Sequence, residues 1–120
     1  MAVVGIDHIQ LSMPAGHEDK ARDFYVGLLG LTEVAKPSHL VARGGAWFEN
    51  GNLRIHLGVD PEFRPAKKAH PGLLVSDLND LLGILRTAGH RVFDGDAREE
   101  YEHAYIEDPF GNRIELIQRA

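Results

Sequence analysis

The chain has 120 residues and no cysteine, which excludes disulfide bonds, thiolate metal ligands and a cysteine nucleophile. Any transition-metal site must therefore use histidine and carboxylate side chains. No apolar run approaches the roughly 20 residues that a membrane-spanning helix needs, so we expect no membrane association. The start of the chain, Met1-Ala2-Val3-Val4-Gly5, lacks the basic region and apolar core of a signal peptide. We therefore expect a cytoplasmic protein.

Positive charge is also scarce. Lys and Arg number 13 against 18 Asp and Glu, for a formal net charge of −5. Binding to nucleic acid requires clustered Lys and Arg that neutralise phosphates, so we expect no nucleic-acid partner. The apolar share of 43% and the charged share of 26% are typical of a folded domain, and the length fits a single one.

The chain contains an internal repeat. Residues 46–57 and 104–116 both run from Ala through an aromatic and an apolar residue to Glu, then through Gly-Asn to Ile-His-Leu or Ile-Glu-Leu. His56 and Glu115 thereby take matching places. Each half also has apolar residues at helical spacing; these are Ala21, Phe24, Tyr25 and Leu28, and Leu78, Leu81, Leu82 and Leu85. Gly30 and Gly89 follow as predicted C-terminal caps.

Each half reads as a strand, a helix and three further strands. The predicted elements are near 6–13, 18–29, 32–35, 45–50 and 53–59, and near 70–76, 77–88, 91–94, 103–107 and 112–118. We predict one α+β domain over 1–120, with modules of about 1–60 and 69–120 and a connector at 60–69, because neither half could bury a full core alone. Its eight strands should form a cupped, incompletely closed mixed sheet with the helices outside.

Ionisable residues recur on one face of these strands. Because alternate side chains of a strand point to opposite faces, His8 and His70 open the first strands on the face away from the apolar residues. His56 and Glu115 lie on the corresponding face of the two last strands. The neighbouring positions on this polar face carry Trp47, His103, Tyr105 and Arg113.

A histidine or glutamate on a strand is ordinarily a solvated surface residue, but four at matching places favour a metal site. Two imidazoles and a carboxylate with open positions form the triad of non-haem Fe(II) enzymes, and Mn, Ni, Co and Zn accept the same ligands. We predict one divalent ion held by His8, His70 and Glu115, with His56 as a fourth ligand or a base. Trp47 offers an aromatic wall, and the predicted substrate contacts are His103, Tyr105 and Arg113; core packing or rim exposure is the alternative for these side chains.

Three segments in this order resemble a known family. They are Ile6-Asp7-His8-Ile9-Gln10-Leu11, Ala21-Arg22-Asp23-Phe24-Tyr25-Val26-Gly27-Leu28-Leu29-Gly30-Leu31 and Asp108-Pro109-Phe110-Gly111-Asn112-Arg113-Ile114-Glu115-Leu116. Over essentially its whole length the chain resembles the vicinal oxygen chelate superfamily, the glyoxalase/bleomycin-resistance/dioxygenase group. The resemblance implies paired βαβββ modules, a homodimer, and metal ligands at the places of His8, His56, His70 and Glu115.

The resemblance also implies a range of functions. The first is a divalent-metal-dependent lyase or isomerase of the glyoxalase type, in which the ion chelates a small oxygen-rich substrate and Glu115 or His56 transfers a proton. The alternatives are a metal-free small-molecule binding protein of the bleomycin-resistance type and a non-haem Fe(II) ring-cleavage dioxygenase. His56 departs from glyoxalase I enzymes, which commonly have Glu at this place. Whether the modules pair within one chain or across a dimer stays open.

Overall fold

The computed structural model describes residues 1–120 as two compact units, Met1–Arg64 and Pro65–Ala120. Each unit has the order strand, helix, strand, strand, strand, so the predicted α+β class and the two tandem βαβββ modules are confirmed. The eight strands form two four-stranded mixed sheets, one in each unit. The division between the units falls within the segment predicted as the connector.

The first unit builds its sheet in the order β1-β4-β3-β2. Its elements are β1 (Ile9–Met13), α1 (Glu18–Tyr25), β2 (Thr32–Val34), a short 3-10 helix (Ser38–Arg43), β3 (Ala46–Asn50) and β4 (Leu53–Val59). β1 runs parallel to β4, and the other pairs are antiparallel. The helix packs its apolar face on the sheet, where the ring of Tyr25 stacks on that of Phe48 with 5.3 Å between centroids. Both side chains are fully buried.

The second unit repeats this arrangement in the order β5-β8-β7-β6. Its elements are β5 (Gly72–Leu74), α2 (Leu78–Thr87), β6 (Val92–Asp94), β7 (Tyr101–Glu107) and β8 (Arg113–Arg119). β5 is parallel to β8, and the other pairs are antiparallel. The side chain of Asp77 caps α2 by accepting the N–H of Asp80 at 3.0 Å, which satisfies one of the unpaired donors at the helix start. Leu78, Leu82 and Leu85 form its buried face.

The first helix ends earlier than predicted, at Tyr25 rather than near residue 29. The chain continues in wider turns, because Gly27 and Leu29 donate to carbonyls five residues back, at 3.2 and 2.9 Å. Gly30, with φ 79°, closes this segment, and Gly89 does so after α2 with φ 87°. Both predicted glycine caps are confirmed as left-handed positions.

The opening strands are shorter than predicted, so His8 and His70 lie just before β1 and β5. β1 pairs with its neighbour only from Ile9 onwards. β5 pairs only from Gly72, since Pro71 has no N–H to give to a ladder. Both histidines are thus on the segments that enter the sheet, where hydrogen bonds from their ring nitrogens to nearby chain atoms orient them.

Candidate metal site

His8 is oriented by its neighbour in the sequence. Its Nδ1 lies 2.9 Å from Oδ2 of Asp7. A carboxylate oxygen can only accept, so Nδ1 carries the hydrogen and Nε2 keeps its lone pair. Asp7 also binds Arg54 at 3.1 Å, and its pKa is lowered, chiefly by the hydrogen bond from His8. A histidine held in this way is typical of metal ligands, whose second nitrogen commonly donates to a carboxylate.

His56 lies in a stack of three rings. β3 places Trp47 directly opposite His56, and the indole and imidazole are parallel within 1° with 3.9 Å between centroids. His8 covers the other face at 4.2 Å. His56 retains 6% of its accessible surface, and neither ring nitrogen makes a hydrogen bond within the chain.

Burial lowers the pKa of His56, and the nearby imidazole of His8 lowers it further. His56 is therefore a neutral imidazole at neutral pH. Proton and metal binding both use a lone pair in the plane of the ring, and stacking on the two faces leaves that plane open. No buried side-chain nitrogen lacks a hydrogen-bond partner, so the nitrogens of His56 reach solvent, where they suit either a ligand or a base.

His70 and Glu115 form the corresponding pair in the second unit. Nδ1 of His70 donates to the backbone carbonyl of Lys68 at 2.9 Å, so the lone pair of the neutral ring is again on Nε2. That nitrogen lies 3.2 Å from Oε1 of Glu115. Two lone pairs at this distance are unfavourable unless a proton or a cation lies between them. The donor set therefore fits a divalent ion, although Glu115 and His70 also form an ion pair when the imidazole is protonated.

His103 lies behind Glu115. Its Nδ1 is 2.7 Å from Oε2 of Glu115, while Nε2 is 2.8 Å from the backbone carbonyl of Asp96 and 2.9 Å from its carboxylate. Both nitrogens face oxygens that accept, so a ring hydrogen on each satisfies them. Burial lowers the pKa of His103, but the hydrogen bonds to the Asp96 carbonyl and to Glu115 outweigh it and leave the pKa raised.

A cavity of about 320 Å³ opens beside this cluster in the second unit. It is lined by Lys67, Phe93, Asp94, Tyr105, Ile106, Glu107 and Arg113. The guanidinium of Arg113 lies 4.1 Å above the ring of Tyr105 and has no carboxylate partner, whereas Lys67 is neutralised by Glu107 at 2.7 Å. Arg113 is two residues before Glu115 on the same face of β8, which is roughly 7 Å along a strand.

The structure thus brings the predicted residues together as two clusters. His8, His56 and Trp47 meet in the first unit, and His70, Glu115, His103 and Tyr105 meet in the second. No group of three or more His, Asp or Glu side chains is arranged to hold a metal ion. Asp7 was not predicted as part of the site, although its place beside His8 was a readable signal. Asp96 was not predicted either, because its carbonyl binds His103 from a loop that no motif marks.

Comparison with known proteins agrees with this architecture. The family model of the Glyoxalase/Bleomycin resistance protein/Dioxygenase superfamily matches residues 5–116, and the chain belongs to this superfamily. The resemblance read from the three sequence segments is thereby confirmed. No curated protein matches the chain.

Solved structures share the fold over the whole chain. A putative glyoxalase family protein from Bacillus anthracis is 42% identical, with a TM-score of 0.94 over 100% of this chain and 98% of that one. The fosfomycin resistance protein FosX from Listeria monocytogenes is 15% identical, with a TM-score of 0.79 over 99% and 96%. TnmS3, an antibiotic binding protein from Streptomyces sp. CB03234, is 24% identical, with a TM-score of 0.75 over 100% and 99%. The last two likenesses establish the fold alone. Neither helix is long and apolar enough to span a membrane.

Proposed function

We propose that the chain is a divalent-metal-dependent enzyme, a lyase or isomerase of the glyoxalase type, that acts on a small oxygen-rich substrate. His8, His70 and Glu115 are the proposed ligands, and His56 is a fourth ligand or a base. The ion is Fe, Mn, Ni, Co or Zn, since all of these accept imidazole and carboxylate donors. His8 and His56 belong to the first unit and His70 and Glu115 to the second, at matching places in the repeat.

The orientation of the imidazoles carries this proposal. In both His8 and His70, Nδ1 donates a hydrogen bond to an oxygen atom. Nε2 of each ring therefore keeps its lone pair. His56 is almost fully buried, yet its ring nitrogens, which make no hydrogen bond within the chain, reach solvent. Three imidazoles with available lone pairs, together with Oε1 of Glu115, therefore favour a metal site.

The bound ion would polarise a substrate carbonyl or hydroxyl oxygen. The chain's own contribution is to hold and move protons beside that oxygen. His56, neutral because its pKa is lowered by burial, accepts a proton when it is not a ligand. Glu115 is the second candidate for this proton transfer.

Arg113 and Tyr105 supply the proposed substrate contacts. The Tyr105 ring covers one face of the guanidinium and leaves its N–H edges open to the cavity. A guanidinium edge binds carboxylate or phosphate oxygens in pairs. We therefore expect a substrate with an anionic group roughly 7 Å from the oxygens that reach the ion, the spacing of Arg113 and Glu115 along β8.

A homodimer is the proposed assembly. The segment before β1 exposes Val3, Val4 and Ile6 at 94%, 99% and 81%, and β5 exposes Leu74 at 72%. β1 and β5 are the outermost strands in the sheets of their own units, and the exposed apolar side chains beside them favour association. The proposed partners are a small-molecule substrate and a second copy of the chain, without nucleic acid or membrane, in the cytoplasm.

A metal-free binding protein of the bleomycin-resistance type is the second candidate. One observation favours it: no three ligand side chains are grouped for a metal, and the hydrogen bonds of Glu115 to His70 and His103 satisfy it without an ion. Such a protein would use the cavity beside Tyr105 to sequester its ligand.

Elemental analysis decides between the two candidates. The protein is purified without an affinity tag or added metal, and its metal content is measured, followed by titration of the metal-free form with Zn²⁺, Co²⁺ and Mn²⁺. The proposal expects about one equivalent per chain. Fe would direct assays to the ring-cleavage dioxygenase alternative. The absence of metal after purification together with no binding in the titration would overturn the enzyme proposal.

A further inference from the structure

The buried side chain of His103 forms a hydrogen bond with Glu115 and has no surface through which it could contact a substrate. The His103 side chain is 1% exposed, and its Nδ1 lies 2.7 Å from Oε2 of Glu115. The other oxygen, Oε1, faces Nε2 of His70. The two oxygens of one carboxylate are therefore divided between a buried donor and the proposed ligand position.

The opposite edge of His103 is fixed as firmly. Nε2 meets both the carbonyl and the carboxylate of Asp96, at 2.8 and 2.9 Å. The preceding residue, Gly95, presses its backbone on the ring: a Cβ atom added there would lie 2.4 Å from Nε2 and 2.5 Å from Cδ2. Only glycine allows this approach, so the ring lies between the Gly95–Asp96 segment and Glu115 with little freedom to turn.

We propose that His103 is a positioning residue that fixes the carboxylate of Glu115 through Oε2 and presents Oε1 to the metal. This inference rests on the proposed function. Outer partners of metal ligands restrict the ligand's rotation and are worth about 10- to 100-fold in metal affinity. A hydrogen bond to one oxygen already fixes the orientation of the carboxylate. An ion that binds the other oxygen then does not have to restrict the rotation of the side chain. Direct contact of His103 with substrate is disfavoured, because its side chain is buried and both ring nitrogens are already engaged.

Two substitutions of His103 distinguish the hydrogen bond made by Nδ1 from the one made by Nε2. In His103→Asn the amide nitrogen takes the place of Nδ1 and keeps a donor for Glu115, while the contact with Asp96 is lost. In His103→Gln the longer side chain brings the amide to the place of Nε2, which keeps Asp96 and leaves Oε2 of Glu115 without its donor. Both variants lose the same imidazole, so a merely structural role predicts similar effects from the two.

The test measures Zn²⁺ and Co²⁺ affinity by competition with a chromophoric chelator, using wild type, both variants and His39→Gln as an exposed-histidine control. We expect His103→Gln to weaken binding about 10- to 100-fold and His103→Asn to stay within a few-fold of wild type. Gly95→Ala, which displaces the ring without changing it, should weaken binding in the same direction as the Gln variant. Equal affinities for the Asn and Gln variants would overturn the inference, whereas failure of the wild type to bind either ion would overturn the proposed function.

A second readout needs no variant. In the metal-free protein, long-range ¹⁵N–¹H spectra of the imidazoles should show His103 with a hydrogen on Nδ1 that exchanges slowly with water. Addition of Zn²⁺ should leave that hydrogen in place while the Nε2 signal of His70 shifts. A His103 ring that lacks the Nδ1 hydrogen, or that itself shifts as a zinc ligand, would contradict the positioning role whether or not the variants fold.

Discussion

Asp7 offers a sharp test of the metal site, because it acts on His8 without being a ligand. Its Oδ2 holds Nδ1–H of His8 at 2.9 Å and thereby sets the tautomer that leaves Nε2 free. Asp7→Ala removes this acceptor, so the ring gains rotational freedom and the alternative tautomer. Loss of such a partner costs about 10- to 100-fold in affinity. Because the Asp7 side chain is 75% exposed, we expect the lower end, about tenfold.

The assay is chelator competition with Zn²⁺ and Co²⁺ at constant ionic strength. Asp19→Ala is the matched control, because Asp19 is an exposed carboxylate of the same unit that also binds an arginine, at 2.9 Å, but contacts no imidazole. Asp7→Asn should lose less than Asp7→Ala, since the amide oxygen still accepts from Nδ1. An Asp7→Ala variant that binds both ions as tightly as wild type and Asp19→Ala would refute the tautomer argument.

Three further predictions concern stability and charge. Phe48→Ala removes a fully buried ring and should lower the free energy of unfolding by about 3–5 kcal/mol in urea titrations, whereas Phe93→Ala, at an exposed ring, should cost much less. Asp77→Ala removes the cap of α2 and should cost about 1 kcal/mol, with no loss in the Asp77→Ser variant. In NMR titrations of the metal-free protein, His56 should titrate below about 6.5 and His103 above it. Stability from the neutral His56 is then lost as the pH falls below that value, and stability from His103 is lost as the pH rises through its raised pKa. The opposite order of the two midpoints would contradict the burial argument for His56 and the hydrogen-bond argument for His103.

Much of the fold could be predicted because the repeat and the apolar spacing are local signals. The predicted strand faces also agree with the structure. Tyr105 of β7 pairs with Glu115 of β8, so the two side chains lie on the same face of the sheet. The end of the first helix could not be predicted, because the apolar spacing continues to Leu28 while the backbone hydrogen bonds widen after Tyr25. The 3-10 helix at Ser38–Arg43 also carries no apolar periodicity that would reveal it.

The candidate site was predictable in its residue types but not in their contacts. The sequence placed His56 and Trp47 on one face, yet their parallel stacking depends on the register of β3 and β4. His103 was predicted as a substrate contact from its face alone. The interpretation as a positioning residue needs its burial and the approach of Gly95 and Asp96, which bring together residues that are distant along the chain from Glu115.

The central proposal is that His8, His70 and Glu115 hold one divalent ion. Isothermal titration of Zn²⁺ and Co²⁺ into the metal-free protein tests it most directly, comparing wild type with His8→Ala, His70→Ala and Glu115→Ala and with His39→Ala as the control. The account predicts one site per chain in wild type and control, and loss of most of the affinity in each of the three ligand variants. Retention of wild-type affinity when His8, His70 or Glu115 is replaced would contradict it, because that side chain would then not be a ligand.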